Sequence, residues 1–398
     1  MRDQNLLQIV NKLVSKATSL KCRKIVFTII SELDRNPEIK VIRGLRGVGK
    51  TTVLLQILNS FRNNGFYFSA DWPQVRSTSL YDFIVELLKD GFKMICVDEI
   101  HTYPNWEQDL KAVSDQFSGV ILLVSGSAPA VFSGDRREKI YELEPMDFSE
   151  YLLIKKEIVL NAGDSWNTAH ESAEITANHF PEISGWFSDY YHSGAFPISL
   201  EQSAEDTLNS IFTGIQQSLW KDAASFLKIS SRKILAMEKL LYFLATSHPG
   251  EFSITSICGT LELSKSSVYE IVSAMERMKL IRVIKPYASG GKLVRGEPKI
   301  LFTHPNLRVA ICHKLGFEAK IGSIREELAL FAFKQRGFSF YTVKGLKKSP
   351  DYLLKKGKDV LYVEIGGENK NRKQLKSLKN SILIQENQLT ALALNNGQ

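Results

Sequence analysis

Apolar residues along the first third of the chain come in short, nearly continuous runs, "IKVI" at 39–42 (interrupted by Lys40), "FYF" at 66–68, "MICV" at 94–97 and "VILLV" at 120–124. Between them lie longer stretches whose apolar positions return every three or four residues, such as "TTVLLQILNSF" and "SLYDFIVELLKDG". Continuous runs predict strands buried on both faces, and the longer stretches predict amphipathic helices; the second of these is stopped by Gly91. A further strand is expected around "YELEPMDFSEYL". The alternation predicts an α/β fold with a parallel sheet.

The rhythm then changes. From "SRKILAMEKLLYFLATSHPG" through "SKSSVYEIVSAMERMKL" three helical segments follow each other, the first broken at Pro249-Gly250, the second starting after Ser253 and the third capped by Ser264. In the third, Val268, Ile271, Val272, Met275 and Met278 share one face, while Lys265, Ser266, Tyr269, Ser273 and Arg277 point elsewhere. "LIRVIKPY", a Gly290-Gly291 turn and "KILFTH" would complete a winged helix. Further on, "GSIREELALFAFKQRG" is an amphipathic helix with Ile324, Leu328 and Phe331 inward, followed by the strand "FSFYTV" and by "PDYLLKKGKDVLYVEIGG". This last stretch reads as a hairpin with a type II′ turn at Gly357-Lys358. That register sets Asp351 opposite Glu364 and puts Tyr352, Leu354, Leu361, Val363 and Ile365 on the other, apolar face. The chain thus divides into an α/β domain at 1–160, a helical connector at 161–230, a winged helix at 231–315 and a small α/β domain at 316–398.

Length and composition fit a globular chain of two to four domains. No stretch is apolar enough to span a bilayer, and the polar start is no signal peptide, so a cytoplasmic location is expected. The four scattered cysteines, with no CxxC, read as reduced thiols, and the seven histidines lack metal-ligand spacing. Charge changes the picture. The net +8 hides 28 Lys+Arg against 14 Asp+Glu in residues 231–398, and 23 against 29 in the remainder. A basic half of that kind suits a polyanion, and duplex DNA bound without sequence preference is the expected partner.

The chemistry is concentrated after the first and third strands of this reading. "GLRGVGKTT" satisfies GxxxxGK[ST] with Gly44, Gly49, Lys50 and Thr51, and Gly47 and Thr52 belong to the same loop and helix start. Glycines let backbone N–H groups curl round phosphates, the lysine reaches the β/γ oxygens, and the threonine hydroxyl serves Mg²⁺. "MICVDEIH" ends a strand in Asp98, which would hold Mg²⁺, and Glu99, which would polarise the attacking water. Ser125 and Ser127 are both candidates to sense the γ-phosphate, Ser127 being preferred. Arg136, beside Arg137, is the candidate to stabilise transition-state charge, in cis or across a homo-oligomer.

"GLRGVGKTT", "ICVDEIHTYPNWEQDLK", "LLVSGSAPAVF" and "YELEPMDFSEYL" together resemble the prokaryotic AAA-type ATPases that carry a C-terminal domain of unknown function, and "YYHSGAFPISL" and "LWKDAASF" resemble the helical region that follows their ATPase core. The resemblance implies a P-loop sheet with an additional strand, ATP as ligand and Mg²⁺ as cofactor.

At the other end, like charges set opposite each other destabilise a hairpin, so the Asp351/Glu364 pair suggests a divalent metal between them. Pro350-Asp351 and Glu364 resemble the two acids of the PD-(D/E)xK nuclease superfamily, and Glu326 its additional acid. Gly366 stands where that pattern has lysine. A bend at Gly366-Gly367 would have to bring Lys370 back over Glu364, and "NKNRKQLKSLK" would form a basic helix along a phosphate backbone. Weak Mg²⁺ or Mn²⁺ binding and little intrinsic cleavage are expected. The leading reading is an Mg²⁺-ATPase whose nucleotide state controls a DNA-binding half; the alternatives are an ATP-dependent DNA endonuclease and a non-enzymatic ATP switch for a protein partner.

Overall fold

In a computed structural model of the chain, which describes residues 4–33, 39–61, 64–127, 138–160, 181–224, 229–248, 253–288, 296–343, 349–367, 369–375 and 378–394, the apolar runs become β1 (Ile39–Gly44), β2 (Gly65–Ser69), β3 (Met94–Asp98), β4 (Ile121–Ser127) and β5 (Glu138–Glu142). They pair in the order β2-β3-β4-β1-β5, each pair parallel. β4 therefore stands between β1, which leads into the phosphate loop, and β3, which ends in the acidic pair. This is the additional strand expected above. Parallel neighbours need crossovers, and helices Lys50–Phe61, Leu80–Lys89 and Trp106–Gln116 supply them. Ser79 caps the second of these by accepting from the Asp82 N–H, and Gly91 at φ +95° lies just past its end. These elements make a first unit, Met1–Glu144.

The second unit, Pro145–Gln398, holds helices Ser231–Thr246, Ile254–Leu261 and Lys265–Arg277, then an antiparallel pair, β6 (Ile281–Ile284) and β7 (Lys299–Phe302). Ser253 closes a capping box with Ser256, and Ser264 accepts from the Ser267 N–H. All five apolar positions expected on the inner face of the third helix are buried. The Pro249-Gly250 break and the Gly290-Gly291 turn lie outside the described residues. Helix Ile321–Gln335 leads to a sheet ordered β11-β10-β9-β8, built from β8 (Ser339–Tyr341), β9 (Tyr352–Lys356), β10 (Asp359–Ile365) and β11 (Ser381–Ile384). β10 pairs antiparallel with β9 and parallel with β11. The hairpin register is the expected one, Tyr352 facing Val363, and the turn has φ +60° at Gly357 and no positive φ at Lys358, as type II′ requires.

The two compact units divide after Glu144, so 145–160 lies in the second of them. The reason is a shared core. Met146, Phe148, Tyr151 and Tyr190 cluster with Ile284 and Leu301 of β6 and β7, with Leu328 and Phe333, and with Val363, Ile384 and Leu392. Buried Arg308 also crosses the expected boundary at 315, reaching Glu327 (2.7 Å) and the Leu244 and Ala245 carbonyls (2.7 Å each). The described part of "NKNRKQLKSLK" does not form a helix. It makes a single 3₁₀ turn, Arg372–Gln374, because only Leu375 supplies a fully buried anchor. No helix among the described residues is long and apolar enough to cross a membrane.

Candidate functional site

In open α/β sheets, ligands are met at the carboxyl ends of the strands. There β1, β3 and β4 bring Lys50, Thr51, Asp98, Glu99, Ser125 and Ser127 together. Gly47 and Gly49 carry φ of +83° and +94°, the left-handed turns that let the loop curl. Gly44 is glycine for another reason: a Cβ there would lie 2.1 Å from the Leu143 carbonyl oxygen. The buried Lys50 ammonium donates to the Gly44 and Leu45 carbonyls at 3.0 and 2.9 Å, inside the loop it belongs to, and Thr52 follows Thr51 in the first turn of the helix.

Asp98 is buried and satisfied on both oxygens. Thr51 Oγ1 (2.5 Å) and the Tyr67 hydroxyl (3.1 Å) donate to Oδ2, and the Ser125 hydroxyl and the Glu99 N–H (3.0 Å) donate to Oδ1. Burial, then the adjacent Asp98 charge, pushes the Tyr67 hydroxyl far above the ordinary tyrosine range, so it stays a donor. Glu99 sits at φ +50°, with Oε2 3.3 Å from His101 Nε2 and 4.0 Å from Arg46 Nη2. A threonine hydroxyl and a carboxylate in contact are hard oxygen donors that fit Mg²⁺. Arg136 lies outside the described residues.

At the second candidate site the structure brings Asp351, Glu364 and Lys370 together. Lys370 Nζ is 2.7 Å from Glu364 Oε1 and 3.4 Å from Asp351 Oδ2. The Asp351 N–H donates to Glu364 Oε2 (3.1 Å), and the Ile365 N–H to Asp351 Oδ2 (2.8 Å). The cation between the two acids is thus the ammonium of Lys370 itself. Among the described residues, no three acid, histidine or cysteine side chains are grouped to hold a metal. Glu326 is not gathered with the pair: Lys299 of β7 and, from the hairpin's apolar face, the Tyr352 hydroxyl engage it, each at 2.5 Å. Gln374, with its amide nitrogen turned to Glu364, donates to both carboxylate oxygens at 2.8 and 2.9 Å. Burial pushes the Glu364 carboxyl up, against the Lys370 hydrogen bond. Burial would lower Lys370, but its bond to Glu364 and the two nearby negative charges outweigh that and hold it above the ordinary lysine range.

On helix Lys265–Arg277, the residues expected to face away from the core are all exposed. Glu270, also exposed on this helix, is paired with Lys233 at 2.5 Å.

Residues 36–152 match an AAA domain, and residues 184–320 match a domain of unknown function, DUF8612. The first match takes in the phosphate loop, the acidic pair and strands β1 to β5. Across its length the chain is similar to the uncharacterized protein MJ1637 of Methanocaldococcus jannaschii, 28% identical over 378 residues covering 86% of this chain and 78% of that one. An uncharacterized protein of Haemophilus influenzae is 24% identical over 357 residues, covering 83% and 82%. Among solved structures, the Walker-type ATPase PABY2304 of Pyrococcus abyssi aligns with a TM-score of 0.40 and 12% identity, over 73% of this chain and 95% of that one.

Several contacts of the AAA domain were not readable in its motifs. Arg23, upstream of the matched region, donates to the Val48 carbonyl of the phosphate loop and to the Glu144 carbonyl, both at 2.9 Å. Tyr67 and His101 reach the acidic pair from β2 and from the turn after β3. The available signal was position: His101 stands three residues after Asp98, and Arg46 lies inside the loop itself.

Proposed function

We propose that the chain binds and hydrolyses ATP with Mg²⁺ at the AAA domain, and that its nucleotide state governs duplex-DNA binding by the basic C-terminal half. The observation that carries the reading is the convergence of Lys50, Thr51, Asp98 and Glu99 at the ends of β1 and β3. Lys50 and the loop N–H groups before helix Lys50–Phe61 hold the phosphates. Thr51 and Asp98 would hold Mg²⁺, whose charge, when bound, offsets that developing on the phosphate oxygens. Glu99 orients the attacking water and takes its proton. The water oxygen bonds to the γ-phosphorus as the bond to the β–γ bridging oxygen breaks, and ADP leaves with that electron pair. Arg136 is assigned the charge-stabilising role, from the same subunit or from a second copy.

For the DNA arm, support comes from the basic balance of residues 231–398 and from the exposed face of helix Lys265–Arg277, set after two helices and before β6 and β7 in winged-helix order. Glu270, an acid on that exposed face, is paired with Lys233, which offsets its charge. Steady-state hydrolysis with and without duplex DNA tests both parts. Turnover that DNA changes, and DNA affinity that falls steeply with salt, support the reading. Wild-type turnover in Glu99→Gln, or no DNA binding at low salt, sinks the corresponding part.

One observation favours a second reading, an ATP-dependent DNA endonuclease: Lys370 reaches Glu364 despite Gly366. Plasmid cleavage in Mn²⁺ by wild type, Asp351→Ala and Lys370→Ala separates the two readings. Weak or absent cleavage is expected; robust cleavage lost in both variants would promote the nuclease.

A further inference from the structure

His101 is buried, and its ring spans two strand ends of the site. Nδ1 accepts the Ser127 N–H at 3.3 Å, while Nε2 lies 3.0 Å from Ser127 Oγ and 3.3 Å from Glu99 Oε2. A backbone N–H can only donate, so Nδ1 is the bare nitrogen and Nε2 carries the proton. That proton has two acceptors within reach, the hydroxyl at the end of β4 and the carboxylate following β3. Glu99 is a non-glycine residue in the left-handed region, φ +50°, a conformation that neighbouring contacts have to hold.

We propose that His101 is a positioning residue that couples the γ-phosphate of bound ATP to Glu99 by way of Ser127. With no γ-phosphate present, Nε2–H is shared between Ser127 Oγ at 3.0 Å and Glu99 Oε2 at 3.3 Å, and Arg46 stands by the same carboxylate oxygen. When the Ser127 hydroxyl turns its proton toward a γ-phosphate oxygen, its own oxygen becomes the better acceptor for Nε2–H. Glu99 Oε2 is then released to accept a hydrogen bond from the attacking water. Hydrogen bonds are exchanged and no proton changes owner. The inference rests on the ATPase reading above and adds to it a route by which hydrolysis waits for the third phosphate.

A double-mutant cycle in kcat tests it, with Ser127→Ala and His101→Phe made singly and together and nucleotide affinity confirming the fold of each. Ser127→Ala should lower kcat by roughly tenfold or more in the wild-type background and by less than about threefold in His101→Phe. Equal factors in both backgrounds, or no effect of Ser127→Ala alone, overturn the coupling. A second readout does not depend on turnover. In ¹⁵N-histidine spectra assigned with His101→Gln, a non-hydrolysable ATP analogue should shift His101 Nε2, ADP should not, and Ser127→Ala should abolish the shift. Equal shifts with both nucleotides overturn the proposal even where His101→Phe does not fold. If the wild type hydrolyses no ATP, the ATPase reading fails and takes the coupling with it. If it does, Glu99→Gln stalls it and the cycle is additive, only the coupling fails.

Discussion

Asp98 and Glu364 are both buried acids near the carboxyl end of a strand, and each stands beside a second acid. Around Asp98 the donors are three hydroxyls and a backbone N–H, all neutral. They orient the carboxylate and leave its charge uncancelled. Around Glu364 the donors are the Lys370 ammonium, the Gln374 amide and a backbone N–H. There the charge is already met from within the chain. The contrast teaches that two acids at a strand end do not by themselves define a metal site. What decides is whether the surrounding donors carry charge, because a buried carboxylate that has its own cation offers less to an arriving one.

The largest effects should come from the phosphate-loop side. Lys50→Ala should abolish nucleotide binding measured by calorimetry, since the phosphates lose their main cationic partner. Glu99→Gln should bind ATP near the wild-type affinity and hydrolyse it about 10²–10⁴ times more slowly. A Glu99→Gln protein with unaltered turnover would break the comparison, because the neutral-donor site would then lack its chemistry.

Next is Lys370→Ala, which strips Glu364 of its cation. A loss of about 2 kcal/mol in urea unfolding is expected, toward the low end for a buried pair because the lysine is 35% exposed. Mn²⁺ should then raise the melting temperature of Lys370→Ala more than that of wild type. A larger rise in wild type would mean that the site recruits metal with its lysine in place. The same acid sets a pH signature. Burial raises the Glu364 carboxyl in the folded chain, so its contribution to stability is fully present below the ordinary glutamate value of about 4.3 and is lost as pH rises through the folded value. Glu364→Gln should lack this component. Lys370→Ala should carry the loss to higher pH, since the lysine's opposing pull is gone; an unchanged window would show that burial alone sets it.

The smallest effect should be that of Tyr67→Phe. Asp98 keeps three donors, so stability should fall by only about 1 kcal/mol and Mg²⁺-ATP affinity should change by less than about threefold. A loss as large as that of Lys50→Ala would mean that the hydroxyl is part of the metal site itself.

The sheet, the phosphate loop, the acidic pair and the β9–β10 register were legible because each is written in a short window. Continuous apolar runs fix the strands, Gly47 and Gly49 fix the turns, and period two sets Asp351 opposite Glu364. The caps at Ser79, Ser253 and Ser264 are local as well, although only the last was singled out from the sequence. What escaped depends on distance along the chain. Arg23 meets Val48 across 25 residues, Arg308 meets Glu327 across 19, and the core that merges residues after 144 draws on segments from Met146 to Leu394. The partners of Glu326 escaped for a different reason. Helical period gives its face but not its partner, and Lys299 comes from β7, outside the expected small domain. "NKNRKQLKSLK" read as a helix from its charge; one buried leucine could not hold it as such.

The ring of Tyr67, whose hydroxyl touches Asp98, meets the indole of Trp72 edge-on with centroids 6.1 Å apart. If Asp98 holds Mg²⁺ as proposed, this gives that site an optical reporter. With the other four tryptophans replaced, the emission of Trp72 alone should respond to a change in the electric field at the Asp98 carboxylate. Mg²⁺ arrival could then be followed in real time, ahead of any phosphate release and without a dye.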